Sequence, residues 1–178
     1  MGDEDLVALD LSGKQVYTLR VKKAALISPC SKYRYSLSRI WDEALPPLLC
    51  IGLNPSTADA ELDDPTIRRE VAFSRSNGFG GLLKGNLFAF RSTDPAGMMA
   101  AEDPVGPDND LALIGMMTQA TCILAAWGTR GSFKGRDKAV SELLKGRKLM
   151  CLGRTKEGHP RHPLYVKADV VFQEWGAV

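Results

Sequence analysis

Residues 48–59 read LLCIGLNPSTAD, and this stretch decides the fold class. Residues 48–53 form a short apolar run with the length of a β-strand, which is typical of a strand covered on both faces. Asn54 and Pro55 then predict a turn, because proline fixes its own φ angle and asparagine bonds to neighbouring backbone. The stretch therefore predicts a buried strand that ends in a polar loop.

Similar apolar runs follow and predict three further buried strands, at residues 82–90, 121–127 and 148–153. Helical patterns separate the four runs, at residues 65–78, 108–120 and 136–145. The first helix has a clear start signal, with Asp64 as the N-cap and Pro65 at the first helical position. Alternating strands and helices predict a parallel sheet with helices on its faces, whose functional loops gather at the carboxyl ends of the strands.

The segment before residue 48 has a different pattern. Residues 15–41 predict antiparallel strands, because aromatic or aliphatic residues alternate with polar ones between Tyr33 and Ser38. This alternation places Arg34 on the polar side. The 178 residues predict one α/β domain, divided into a flexible segment (1–14), an N-terminal β extension (15–47) and a core (48–175).

The composition excludes several classes of protein. Apolar residues make up 44% and charged residues 25%, which is typical of a globular domain and not of a disordered chain. No apolar run approaches the about 20 residues that span a bilayer, and the acidic N-terminus lacks the segments of a signal peptide. We therefore expect a cytoplasmic protein with no membrane partner.

The cysteines and histidines do not form a metal-binding pattern. The four cysteines contain no CxxC pair, and small buried side chains in a reducing compartment are expected. Their wide spacing argues against an iron–sulfur cluster, and a zinc site would need more ligands than two histidines. We expect no metal and no cofactor.

Positive charge is concentrated in the last third of the chain, although the net charge is only +2. Residues 54–129 contain ten acidic and five basic residues, whereas residues 129–167 contain three acidic and eleven basic residues. Such a basic segment suits a polyanion, above all nucleic acid. The alternative is a solvated surface, because several of these basic residues are spaced to lie on the outer face of one helix.

Polar residues at the predicted strand ends are the candidates for chemistry. Asn54 either serves only the turn or presents its amide to a water molecule or substrate, with Ser56 and Thr57 placed to receive a phosphate. Asn86 interrupts an apolar strand. A buried amide without partners costs about 1–3 kcal/mol, so Asn86 either belongs to a core network or faces a ligand.

Both histidines of the chain lie in one loop after the last buried strand. This loop, GHPRHPLY at residues 158–165, contains His159 and His162, each followed by proline. Imidazole is the usual side chain for stabilising charge that develops near pH 7. The loop therefore indicates a functional site.

These motifs resemble known families. GLNP at residues 52–55 resembles the first motif of the uracil-DNA glycosylase superfamily, nearest to its mismatch-specific branch, and GHPRHPLY resembles the second motif, His-Pro-Ser-Pro-Leu. A wider set is similar to a bacterial and phage family of unknown function over about residues 30–166; it comprises GLNPSTAD, DDPTIRR, NLFAFRSTDP, DPVGPDND, AAWG and GHPRHPLY.

The glycosylase resemblance implies a three-layer α/β/α sandwich around a four-stranded parallel sheet, and it implies roles for site residues. Asn54 would position the attacking water, and Asn86 would read the edge of the base. His159 or His162 would stabilise charge on the leaving base. The residues expected to contact substrate, including one that fills the gap left by a flipped base, are Pro55, Ser56, Thr57, Asn86, Arg91, Arg161, Leu164 and Tyr165.

The chain departs from the glycosylase pattern in two places, and one role has several candidates. Ser56 replaces the glycine that follows the Asn-Pro pair, and Arg161 interrupts the second motif, so either histidine can match it. The aromatic residue that stacks on the base has three candidates: Phe79, Phe88 and Phe90.

Three functions follow from the sequence. The first is a nucleobase-directed enzyme, most simply a DNA glycosylase that hydrolyses the N-glycosidic bond. The second is an enzyme that acts on free nucleotides or modified nucleosides in the same cleft. The third is a non-catalytic module that binds nucleic acid. The expected partner is DNA or a nucleotide.

Overall fold

The structure, a computed structural model, describes residues 7–9, 15–17, 21–56 and 62–176, with side chains from residue 21 onward. The strands are β1 (Val7–Leu9), β2 (Gln15–Tyr17), β3 (Lys22–Ile27), β4 (Arg34–Ile40), β5 (Pro47–Gly52), β6 (Gly81–Asn86), β7 (Cys122–Ala125), β8 (Leu149–Cys151) and β9 (Gln173–Trp175). The α-helices are α1 (Pro65–Ser76), α2 (Pro95–Met99), α3 (Asn109–Gln119) and α4 (Arg136–Leu143). Short 3-10 helices occupy Thr129–Gly135 and Pro163–Tyr165.

Seven strands form the main sheet, in the order β3-β4-β6-β5-β7-β8-β9. Strand β5 lies parallel to β6 and β7, and β7 lies parallel to β8. The pairs β3–β4, β4–β6 and β8–β9 are antiparallel. The mixed α/β class is confirmed. The four strands expected to be parallel lie within a wider, mixed sheet, because β4 and β9 add antiparallel strands on either side of them.

The N-terminal residues contribute to two sheets. Strands β3 and β4, from the predicted β extension, join the main sheet through the pairing of β4 with β6. Strands β1 and β2 form a separate two-stranded antiparallel sheet. Strand β1 lies within residues 1–14, where we expected a flexible segment; the other residues of that segment lie outside the described part of the chain.

Apolar side chains cover both faces of the main sheet, and consecutive residues of β5 show how. Leu49 and Ile51 pack in one buried cluster with residues of α3 and α4, such as Leu113 and Val140. Leu48 and Cys50 pack in a second cluster with residues of α1, such as Ile67 and Phe73. Because side chains alternate along a strand, β5 is buried on both faces, as its continuous apolar run predicts.

The helix starts follow local capping chemistry. Asp64 caps α1, with its Oδ1 accepting a hydrogen bond of 2.8 Å from the Ile67 backbone N–H. Asp94 caps α2 in the same way, accepting from the Ala96 N–H at 2.9 Å. Helix α2 lies between the strand expected at residues 82–90 and the helix expected at residues 108–120, where the sequence analysis predicted no helix, although Asp94-Pro95 repeats the start signal of Asp64-Pro65. None of the described helices is long and apolar enough to cross a membrane.

Candidate functional site

A cavity of about 520 Å³ lies at the carboxyl ends of β5, β6 and β7, against the start of α1. This volume falls in the range of small-molecule sites, about 300–1,000 Å³. Carboxyl ends of parallel strands meet at one edge of a sheet, where the connecting loops form a crevice. Five of the predicted site residues lie together in its wall: Asn54, Ser56, Asn86, His162 and Tyr165.

Asn54 is fixed by the loop after β6. Its Nδ2 donates to the Ser92 carbonyl at 2.7 Å and to the Pro55 carbonyl at 3.1 Å. The Ser92 N–H donates to the Pro55 carbonyl at 2.9 Å and ties the same two loops together. Both protons of the Asn54 amide are therefore engaged, and its Oδ1 can act only as an acceptor, for example of a water proton.

Asn86 is the last residue of β6, and its side chain is buried with 1% of its surface exposed. Neither Oδ1 nor Nδ2 has a hydrogen-bond partner among the described residues. The backbone beside it is well held, because Asn109 Nδ2 donates to the Asn86 carbonyl at 3.1 Å and Arg136 Nε donates to the Leu87 carbonyl at 2.8 Å. The fold thus holds a buried donor and acceptor in the cavity wall.

Gly52 provides the space for this arrangement. A Cβ atom at Gly52 would lie 2.5 Å from Lys84 Nζ and 3.0 Å from Asn86 Oδ1. Both distances are shorter than an ordinary contact, so any larger residue at position 52 would displace the two side chains. The glycine that precedes the Leu-Asn-Pro sequence is therefore needed for the shape of the cavity.

His162 is the cavity histidine. Its Nδ1 accepts the Leu164 backbone N–H at 3.3 Å, which caps the short 3-10 helix Pro163–Tyr165. Burial and then the positive charge of Lys84 lower the pKa of His162 to about 4. The imidazole is therefore neutral at pH 7, and with Nδ1 engaged as an acceptor its proton lies on Nε2.

Of the other predicted residues of the last loop, only Tyr165 lines this cavity. His159 lines neither this cavity nor a neighbouring one of about 400 Å³, which Arg161 lines. Tyr165 lines both cavities and has 79% of its surface exposed. Leu164 is exposed and lines neither. The structure therefore separates the two histidines, which the sequence motif did not.

Of the remaining candidates, some line the cavity and others do not. Ser56 lines the cavity and donates to Asp64 Oδ2 at 2.7 Å. Pro55 is buried, and its carbonyl accepts hydrogen bonds from Asn54 Nδ2 and from the Ser92 N–H. Arg91 does not line the cavity; its Nη1 donates to the Ser31 carbonyl at 3.2 Å. Thr57 lies outside the described residues.

Four charged residues of the cavity wall were not among the candidate site residues: Arg34, Asp64, Lys84 and Arg130. The sequence analysis grouped Arg34 with the polar residues of its strand, and the structure shows that it is buried, with only 2% of its surface exposed. Burial lowers its pKa to about 10, so it stays charged at pH 7. Asp64 was interpreted only as a helix cap. Lys84 could have been found in the same way as Asn86, because each is a polar residue within an apolar strand.

Lys84 forms a buried ion pair with Glu70 of α1, with 2.6 Å between Nζ and Oε1. Their side chains are 5% and 0% exposed, respectively. Burial opposes the charged form of Lys84, but the Glu70 carboxylate outweighs burial and raises the pKa of Lys84 above its usual value. Lys84 therefore stays protonated at pH 7, and its charge is balanced by the carboxylate of Glu70.

The phenylalanines expected to stack on the base do not lie in the wall. Phe79, Phe88 and Phe90 do not line the cavity, whereas Trp127 and Tyr165 do. Trp127 is buried, its Nε1 has no partner among the described residues, and its ring packs edge-on against Trp175 with 5.0 Å between centroids. Trp127 lies two residues after the end of β7, in the AAWG motif.

Only some of the basic side chains of residues 129–167 are exposed. Arg136 is buried and paired with Asp110, and Arg147 donates to the Met117 and Ala120 carbonyls at the end of α3. The other nine basic residues of the segment are exposed: Arg130, Lys134, Lys138, Lys145, Lys148, Arg154, Lys156, Arg161 and Lys167. Only these nine are available to a polyanion.

The described residues contain no group of three or more His, Cys, Asp or Glu side chains placed to hold a metal ion. Cys50 and Cys151 are buried, and Cys122 is partly buried, as expected for small hydrophobic side chains. Cys30 is exposed, and its Sγ lies 3.3 Å from Ser28 Oγ.

The family model described as protein of unknown function (DUF1643) matches residues 34–164. The chain belongs to this family. The match includes Arg34, the helix cap Asp64 and the loop up to Leu164, so every described residue of the cavity wall except Tyr165 lies within it. No curated protein and no solved structure matches the chain.

Proposed function

We propose that this DUF1643 protein is a nucleobase-directed enzyme that hydrolyses an N-glycosidic bond, most simply a DNA glycosylase-like hydrolase. The observation that carries the proposal is Asn86. A buried amide with no partner costs about 1–3 kcal/mol for each unsatisfied group, and such a cost is tolerated where a ligand supplies the missing bonds. An amide offers one donor and one acceptor side by side, which matches the edge of a nucleobase.

Two further residues of the wall suit the two partners of the N-glycosidic bond, the sugar and the base. Asn54 Oδ1 is an acceptor that can hold a water molecule without titrating. Neutral His162 offers an Nε2–H group, which can donate a hydrogen bond to a base that leaves with negative charge. Exposed Tyr165 at the rim is placed to contact the nucleotides that flank the target.

We propose the glycosylase-like fold as well as the activity. The two apolar clusters, one with α1 and one with α3 and α4, suit the three-layer α/β/α sandwich of the glycosylase superfamily. The parallel strands β6, β5, β7 and β8 would correspond to its four-stranded centre. Strands β3, β4 and β9 would then be additions to that centre.

The second candidate is an enzyme that acts on free nucleotides or modified nucleosides. It is favoured by charge: Arg34, Lys84 and Arg130 line the cavity, against Asp64 in the wall and the Glu70 carboxylate that is paired with Lys84, which leaves a balance of +1. This balance favours an anionic ligand. The third candidate, a non-catalytic nucleic-acid-binding module, is favoured by the nine exposed basic residues described above.

The test is a panel of oligonucleotides that contain uracil and other altered bases, scored for abasic sites after incubation with the protein. We expect base release by the wild type, and its loss in the Asn54→Ala and His162→Ala variants with DNA binding retained. His159→Ala is the matched control, because His159 lies outside the cavity, and it should keep wild-type activity.

Each alternative gives a different result in this panel. Binding to DNA without release of any base, at all pH values and salt concentrations, would favour the module. Binding of free nucleotides without binding of DNA would favour the nucleotide enzyme. Equal loss of activity in His159→Ala and His162→Ala would contradict the assignment of the cavity histidine.

A further inference from the structure

The cavity contains an ionised carboxylate that the proposed mechanism has not used. Asp64 is half-buried at the start of α1 and lines the cavity with Asn54 and His162. It is the one acidic residue among the described residues of the wall. The water-holding residue, Asn54, is an amide and cannot accept a proton, so a hydrolase built on Asn54 alone would lack a base.

Asp64 is held rigidly by its neighbours. Its Oδ1 accepts the Ile67 N–H at 2.8 Å, and its Oδ2 accepts the Ser56 hydroxyl at 2.7 Å. Burial opposes its ionised form, but these two hydrogen bonds, with the charges of Lys84 and Arg34, outweigh burial and lower the pKa of Asp64. Each carboxylate oxygen has two lone pairs, so each can still accept one more hydrogen bond.

We propose that Asp64 is a catalytic residue of this site, which binds the attacking water together with Asn54 and stabilises the positive charge that develops on the sugar. The inference rests on the proposed function. In the reaction, the water oxygen bonds to C1′ while the bond from C1′ to the base nitrogen breaks. The electron pair of that bond leaves with the base, beside the His162 Nε2–H. The water proton passes to Asp64 and then to solvent, and the base anion takes a proton from solvent.

The structure offers a substitution that removes the charge and keeps the helix cap. Asparagine caps helices as well as aspartate does, so Asp64→Asn should leave α1 intact. Asp94→Asn is the matched control, because Asp94 caps α2 in the same way and does not line the cavity. Thermal unfolding of both variants verifies that the fold is unchanged.

The first measurement is single-turnover base release from the best substrate of the oligonucleotide panel. We expect Asp64→Asn to slow release by about 10²–10³-fold, the usual cost of losing one electrostatic contact to charge that develops in the transition state, with unchanged affinity for the uncleaved oligonucleotide. Asp94→Asn should behave as the wild type. Wild-type rates in Asp64→Asn would overturn the role of Asp64 while leaving the proposed function standing.

The second measurement does not require turnover. It compares the binding of two oligonucleotides with abasic-site analogues, one with a cationic pyrrolidine ring and one with a neutral tetrahydrofuran ring. We expect the wild type and Asp94→Asn to prefer the cationic ring, and Asp64→Asn to lose the preference. If the wild type releases no base, the proposed function fails, but this preference still tests Asp64. Absence of the preference in the wild type would overturn the inference.

Discussion

The buried ion pair of Lys84 with Glu70 leads to the sharpest prediction about stability. Replacing Lys84 with methionine keeps most of the side-chain volume but leaves the Glu70 carboxylate, 0% exposed, without its cation. Breaking a buried pair in this way costs about 3–5 kcal/mol, because the remaining charge is desolvated and uncompensated. A domain has about 5–15 kcal/mol of total stability, so the variant should be severely destabilised.

The assay is thermal and urea unfolding of the single and double variants. For a chain of this size, 1 kcal/mol corresponds to about 2–4 °C, so Lys84→Met should lower Tm by about 6–20 °C. Replacing both partners, Lys84→Met with Glu70→Leu, should recover most of the loss, since an apolar pair of similar volume avoids the desolvation cost. Lys145→Met is the control, because the Lys145–Glu142 pair is 77% and 72% exposed and should contribute less than about 1 kcal/mol.

The direction of the pH effect is also determined. Because the folded pKa of Lys84 is raised, its stabilising contribution is fully present below the unfolded value of about 10.4 and is lost as the pH rises through the folded pKa. The ion pair should therefore contribute its full stabilisation of the wild type at pH 7. A loss below about 1 kcal/mol in Lys84→Met at pH 7, or no recovery in the double variant, would refute the reasoning.

Three further predictions concern the cavity and the surface. The pKa of His162 is lowered to about 4, so between about pH 6.5 and 4 only the unfolded chain takes up this proton; stability in urea should fall with falling pH, and less so in His162→Gln. Asn86→Leu should leave Tm unchanged or raise it, because it removes unsatisfied polar atoms, while it abolishes recognition of the base. Lys134→Glu with Lys138→Glu should weaken oligonucleotide binding and flatten its salt dependence, because phosphate contacts release counterions.

Each of these predictions has its own contrary result. A pH–stability profile of His162→Gln that overlays the wild type would show that His162 titrates normally. A marked fall of Tm in Asn86→Leu would show that its amide is satisfied within the fold. Unchanged affinity in the Lys134 and Lys138 variant would remove this surface from the interface; Arg136 is unsuitable for that test, because it is buried and paired with Asp110.

Local patterns were sufficient for much of the fold. The apolar run at residues 48–53 predicted a strand buried on both faces, and β5 has this burial. Asp64-Pro65 predicted the start of α1 at the residue where it begins. The strands expected at residues 82–90 and 148–153 were too long, because an apolar run continues into the buried loop after a strand. Strand burial and helix capping depend on residues that are close together in the chain, so both can be predicted from the sequence.

The site is a property of the tertiary structure. Asn54 and Asn86 were recognisable, because each is a polar residue at the end of an apolar run. Arg34 was not, because its position depends on β4 lying antiparallel to β6, with Leu37 opposite Lys84. That pairing carries the start of β4 to the carboxyl end of β6, where the Arg34 N–H bonds to the Ala89 carbonyl at 2.9 Å.

Only the assembled sheet decides which side chains share the cavity. His159 and His162 are equivalent in the sequence motif, and the turn of the last loop places one in the wall and leaves the other out. Asp64 and Lys84 have ordinary local roles, as a helix cap and a strand residue, and become part of the site because α1 packs beside β6. Sequence periodicity reports burial along one element, whereas a site depends on the register and crossover between elements that are distant in the chain.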